Sequence, residues 1–145
     1  MKLPKEITNG FLIFLGIGIY FLLMNVLGLA DLFYLRTLNV FFIFYGVNRT
    51  MQMNLHEGET NFVTNAVSAM TTSVVGVCMS VFGLLVYSYA RGGDAYVKTL
   101  SETFMFGGNP SVTTYCICLL FEGIASSVIV TLMMMLIWGN KYAAD

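Results

Sequence analysis

Residues 115–138 read YCICLLFEGIASSVIVTLMMMLIW, and Glu122 is the one charged residue in that run. As a helix rising about 1.5 Å per residue, the run is long enough to cross the roughly 30 Å hydrocarbon core of a bilayer. A bare carboxylate in hydrocarbon is costly, so Glu122 needs a proton, a partner or a water-lined cavity. The stretch therefore places the chain in a membrane and marks Glu122 as its first candidate for function.

The composition agrees. Of 145 residues, 57% are hydrophobic and 10% are charged, where a soluble domain carries about 25% charged residues. Mean hydropathy is +0.77. A net charge of −1 and the absence of a Lys/Arg cluster exclude an electrostatic nucleic-acid partner. Twelve Phe and eight Tyr suit a lipid-facing surface with rings at its interfaces. Cys78, Cys116 and Cys118 all lie in apolar runs and read as small buried apolar residues. Two positions apart on a helix, Cys116 and Cys118 point about 200° apart and cannot clamp one metal ion.

Four hydrophobic segments predict four transmembrane helices, at about 10–30, 32–53, 62–90 and 110–138. The first is longer than a signal-peptide apolar region and has no A-x-A-like site after it, so it reads as a mature helix. Gly28 suits its end and Asp31 the start of the second; Thr60 or Asn61 suits the start of the third. Between the third and fourth helices, Val97, Leu100 and Phe104 fall at i, i+3 and i+7. They predict a short amphipathic helix over about 94–106, lying in the membrane interface. Gly107-Gly108 ends it, and Asn109-Pro110 reads as N-cap and first helical residue. The fold class expected is an all-α membrane protein of one domain, 1–145.

Four spans put both termini on one side with the loop around 48–61. That side holds Lys2, Lys5, Arg49 and Lys141, against Arg36, Arg91 and Lys98 on the other. The balance favours cytoplasmic termini.

Arg36 enters from the same side as Glu122, and both side chains are long enough to pair. Asn25 and Asn39 lie at similar depth and extend the expected intramembrane polar cluster of Glu122, Arg36, Asn25 and Asn39. Three roles compete for it: a structural ion pair, a proton or ion site, and docking against another membrane subunit. Two stripes of small residues recur every four positions: Thr72, Gly76 and Ser80 on the third helix, and Gly123, Ser127 and Thr131 on the fourth. Such stripes let helix backbones approach closely in lipid. The plain expectation is that these two helices pack on each other; the alternative is an oligomer or partner interface.

His56-Glu57-Gly58-Glu59 is not H-E-x-x-H, and the chain has one histidine, so no metal is expected. No nucleophile motif, phosphate loop or paired carboxylates appear, and neither enzymatic activity nor a cofactor is expected.

The layout resembles a family of short four-helix bacterial inner-membrane proteins of unknown function, of Bacteroidota type. The likeness is carried by Gly28-Leu-Ala-Asp31, by Arg49 after the second helix, by Gly58-Glu-Thr-Asn-Phe62, by the amphipathic outer stretch and by Lys141 after the fourth helix. The loops here hold fewer lysines than is usual in that family. The resemblance implies an inner-membrane location with cytoplasmic termini, and it supplies no activity or site residues. The function expected is a small non-enzymatic accessory subunit of a larger membrane assembly, in contact with lipid and with other subunits or copies of itself. The alternative is a homo-oligomeric proton- or cation-coupled transporter or channel using Glu122.

Overall fold

A computed structural model describes residues 4–30, 32–100 and 110–142. Six α-helices run in chain order: α1 Lys5–Val26, α2 Phe33–Arg36, α3 Val40–His56, α4 Phe62–Ala90, α5 Asp94–Leu100 and α6 Val112–Ile137. Of these, α1, α4 and α6 are each long and apolar enough to cross a membrane.

Local signals account for most of the boundaries. α1 begins earlier than expected, directly after Pro4, because nothing before Gly28 breaks it. Its end is a Schellman motif. Gly28 adopts φ +71°, its N–H reaches Asn25 O at 3.2 Å, and Leu29 N–H reaches Met24 O at 2.9 Å. Asn61 caps α4, its side chain accepting from Thr64 N–H at 3.0 Å.

The second segment departs from the single helix expected over 32–53. It is helical from Phe33 to His56 but divided by a 3₁₀ turn at Thr37–Asn39. The cause lies on α1: the Tyr20 hydroxyl donates to Leu35 O at 2.9 Å. That carbonyl would otherwise accept from Asn39 N–H in a regular α-helix, and a side chain inserted there tightens the ladder.

The start of the last helix also needs correction. Its N-cap is Ser111, which accepts from Thr114 N–H, with Val112 as first helical residue. Asn109 lies outside the described residues, as do Asp31, Phe104 and Gly107-Gly108. The short helix α5 packs on the long helices. Val97 and Leu100 are buried against Val112, Tyr115 and Cys116, so its apolar face docks on the end of the bundle. The Asp94 carboxylate accepts from Val112 N–H at 2.8 Å, which ties α5 to the positive end of α6.

The elements form an up-and-down bundle in which successive long helices run antiparallel and α1 lies parallel to α4. α4 packs on α1 and α6, and α3 packs closely on α1 and α4 and less on α6. One end gathers the start of α1, the α3–α4 turn and the end of α6. There Lys5 pairs with Glu57, and Trp138 Nε1 donates to Asn48 Oδ1 at 3.1 Å. The core of this half comprises Ile13, Ile43, Val47, Met51, Ala69, Val130 and their neighbours.

The close approach of α1 to α4 depends on glycine. A Cβ on Gly76 would lie 2.7 Å from Ile13 Cβ and 3.1 Å from Gly10 O. The stripe expected to join the third and fourth helices therefore divides its contacts. Gly76 meets α1, and Thr72 bonds Thr50 of α3. On α6, Gly123 meets Val77 of α4, Ser127 is buried, and Thr131 donates to Met70 Sδ. The cysteines differ too: Cys116 is buried, Cys118 intermediate and Cys78 exposed.

Gly76→Ala should destabilise the bundle by about 1–3 kcal/mol through overpacking against α1. Gly18→Ala meets nothing within 4 Å and should leave stability unchanged or slightly raised. Thermal unfolding of both variants in one detergent checks the contrast.

Candidate functional site

Polar side chains collect at three places in the bundle. The first joins α2 to α6. Arg36 Nη2 lies 3.5 Å from Glu122 Oε2, an ion-pair distance longer than a direct hydrogen bond. Arg36 Nη1 donates to the Tyr115 hydroxyl at 3.0 Å. The Arg36 side chain is 18% exposed and that of Glu122 is 44% exposed. One guanidinium thus touches two positions on α6, Tyr115 and Glu122, seven residues apart and so on one helix face.

These residues sit on the lining of a cavity of about 510 Å³ in the α5 half of the bundle. Its wall is mainly apolar and draws on α1, the α2–α3 run, α4 and α6. Two causes open it. α3 engages α6 less than its other neighbours, and the 3₁₀ turn falls beside the gap. Asn39 also lines the cavity, and its Oδ1 is buried without a hydrogen-bond partner.

Asn25 is not part of this group. Its Nδ2 donates to the Tyr87 hydroxyl at 3.1 Å, and its Oδ1 accepts from the Tyr96 hydroxyl at 3.2 Å. The Tyr87 and Tyr96 rings meet edge to face, with Arg91 over Tyr87. This second group holds α5 against α1 and α4. Of the four polar residues grouped by depth in the sequence, Arg36, Glu122 and Asn39 share the cavity, and Asn25 belongs to the α5 dock.

A third group, in the opposite half, takes only Thr72 from the residues singled out in the sequence. Asn9 Nδ2 donates to Thr50 Oγ1 at 2.9 Å, and Thr50 and Thr72 hydroxyls are 2.9 Å apart. Thr72 gives its proton to Ser68 O at 2.9 Å, so Thr50 must donate to Thr72. The relay runs one way, from α1 through α3 to α4. Beside it, Asn54 Nδ2 donates to Asn65 Oδ1 at 3.0 Å, and Ser68 Oγ donates to Glu6 at 2.8 Å. Each of Asn9, Thr50, Asn54, Asn65 and Thr72 is at most 1% exposed. The available signal was four-residue spacing, with Thr50 and Asn54 on one face of α3 and Asn65 and Thr72 seven apart on α4.

Neither family models, curated proteins nor solved structures match this chain. The site therefore has to be read from its own chemistry. Among the described residues no group of three His, Cys, Asp or Glu converges. What the cavity offers is an apolar chamber with a matched charge pair.

Removing one charge of that pair strands the other. Arg36→Leu should lower stability by about 1–3 kcal/mol, and Arg36→Leu with Glu122→Leu by less. Equal losses in the two variants would mean no coupling between the residues.

At the α5 dock, burial and the neighbouring Tyr87 push the Tyr96 pKa from 10.0 up to about 12. The folded chain keeps this proton where the unfolded chain releases it. The stability Tyr96 contributes is therefore complete below pH 10 and is lost as pH rises from about 10 to 12. A phenolate absorbance titration should show a late component that Tyr96→Phe removes.

Proposed function

We propose that the protein is a small, non-enzymatic accessory subunit of a larger membrane assembly, crossing the bilayer four times. The observation that carries this reading is the exposure of Glu122. Its side chain is 44% exposed on a helix that is otherwise uncharged, beside the outward-facing Phe121 at 70%. Arg36 covers one side of the carboxylate. In hydrocarbon the uncovered side carries a desolvation cost that a polar group on a partner helix offsets.

The fourth crossing is the run from Phe33 to His56, which at about 1.5 Å per residue is long enough despite its 3₁₀ turn. It supports an arrangement with both termini on the side of Lys5, Arg49 and Lys141, the cytoplasmic side under the positive-inside rule. A bacterial inner membrane is the location proposed, on the family resemblance described above.

A second reading has its own observation. Glu122 lines the 510 Å³ cavity, as a proton- or cation-binding residue of a homo-oligomeric transporter or channel would. Native mass measurement of the complex extracted in mild detergent separates the two. An accessory subunit should leave the membrane with unrelated proteins at fixed stoichiometry. Recovery of a homo-oligomer alone, with proton or cation flux in proteoliposomes lost in Glu122→Gln, would replace the first reading by the second.

A further inference from the structure

A second cavity, a groove of about 360 Å³, runs along the outer side of α3 in the half that holds the start of α1 and the end of α6. Tyr45, Asn48, Arg49, Gln52, Met53 and His56 line it, all from this one helix. Arg49, Gln52 and His56 fall at i, i+3 and i+7 and so share a face. None of these three has a hydrogen bond or an ion pair among the described residues. Asn48 Oδ1 accepts from Trp138 Nε1 at 3.1 Å, which leaves the Asn48 amide protons for the groove.

Charge narrows the occupant. The wall carries the guanidinium of Arg49 and no carboxylate. The acids at this end of the bundle are engaged elsewhere: Glu57 with Lys5, Glu6 with Ser68, and Glu59 with the N–H of Asn61. An unpaired guanidinium presents a planar fork of donors that matches a phosphate. The same face continues toward the middle of the chain's crossing with Tyr45 and Phe41, 61% and 64% exposed, at four and eight residues before Arg49. Phe41 thus lies about 12 Å along the axis from Arg49. An apolar ring, then an amphipathic ring, then a cation and amides is the order in which a bilayer presents acyl chain, ester region and phosphate.

We propose that the groove on α3 holds the head group of an anionic phospholipid. Arg49 pairs with the phosphate, Gln52 and His56 donate to the head-group oxygens, and an acyl chain lies along Tyr45 and Phe41. The inference rests on the fourth crossing through α3 stated above and is independent of the accessory role.

The chain has one tryptophan, and Trp138 reports on the groove through its bond to Asn48. The test reconstitutes the full-length protein in mixed phosphatidylglycerol and phosphatidylcholine, with one lipid at a time brominated on its acyl chains. Quenching of Trp138 then gives the relative affinity for the two lipids. Phosphatidylglycerol should be preferred about fivefold, the effect of one arginine at an anionic surface. Arg49→Gln should bring the preference close to parity. Lys141→Gln, which removes the same charge beside Trp138 in the chain, should leave it unchanged. Equal affinity for the two lipids in the unaltered protein would overturn the proposal. An equal loss in Lys141→Gln and Arg49→Gln would do so too, because it marks diffuse attraction without a built site. Displacement of the lipid by millimolar glycerol 1-phosphate would assign the groove to a soluble phosphate and overturn it as well. Tyr45→Trp in a Trp138→Phe background separates the crossing from the site. No quenching there by brominated phosphatidylcholine would overturn the crossing and the proposal together, whereas quenching without a phosphatidylglycerol preference overturns the proposal alone.

Discussion

The contact of α1 with α4 at Gly10 and Gly76 is the constraint on which the rest of the bundle depends. In lipid, helices gain little from hiding apolar surface and associate through close packing and interhelical hydrogen bonds. Here the two backbones come so near that Ile13 fills the space a Cβ on Gly76 would need. That approach sets the rotation of both helices. It turns Asn9 toward α3 and Thr72 toward the same helix, and the relay through Thr50 follows.

The bundle is consequently unequal along its length. In the half that holds the start of α1 and the end of α6, α1, α3 and α4 are held together by Ile13, Val47, Met51 and the buried Asn and Thr side chains. In the other half, Tyr20 draws the Leu35 carbonyl out of the ladder, the α2–α3 run tightens into a 3₁₀ turn, and a chamber opens toward α6. Arg36 spans the gap to Tyr115 and Glu122. The cavity lies beside that diverted carbonyl, where α3 and α6 engage each other least.

Much of the fold was legible because it rests on local signals. The helix over 62–90 emerged with the expected bounds, since Asn61 caps it and no breaker interrupts it. Gly28 ended α1 by the geometry that only a residue tolerant of positive φ supplies. Grouping polar residues by depth alone worked for Arg36 and Glu122, whose long side chains bridge a gap over several orientations. It failed for Asn25. Depth leaves azimuth undefined, and the short Asn25 side chain reaches what it faces, which is Tyr87 and Tyr96. The small-residue stripes likewise showed that backbones come close and left open which ones.

The sequence by itself determined that helices long and apolar enough to cross a membrane are present, most helical segments, and a carboxylate and an arginine able to pair. Hydropathy, length and capping carry those facts locally. Only the tertiary structure decided that Gly76 faces α1, that Asn9, Thr50 and Thr72 form one relay, that α5 docks on the bundle end, and that Glu122 borders a chamber. The physical reason is that a helix apolar on every face, as α6 nearly is, carries no periodicity to orient it. Its rotation is set by steric fit and hydrogen bonds to residues remote in the chain.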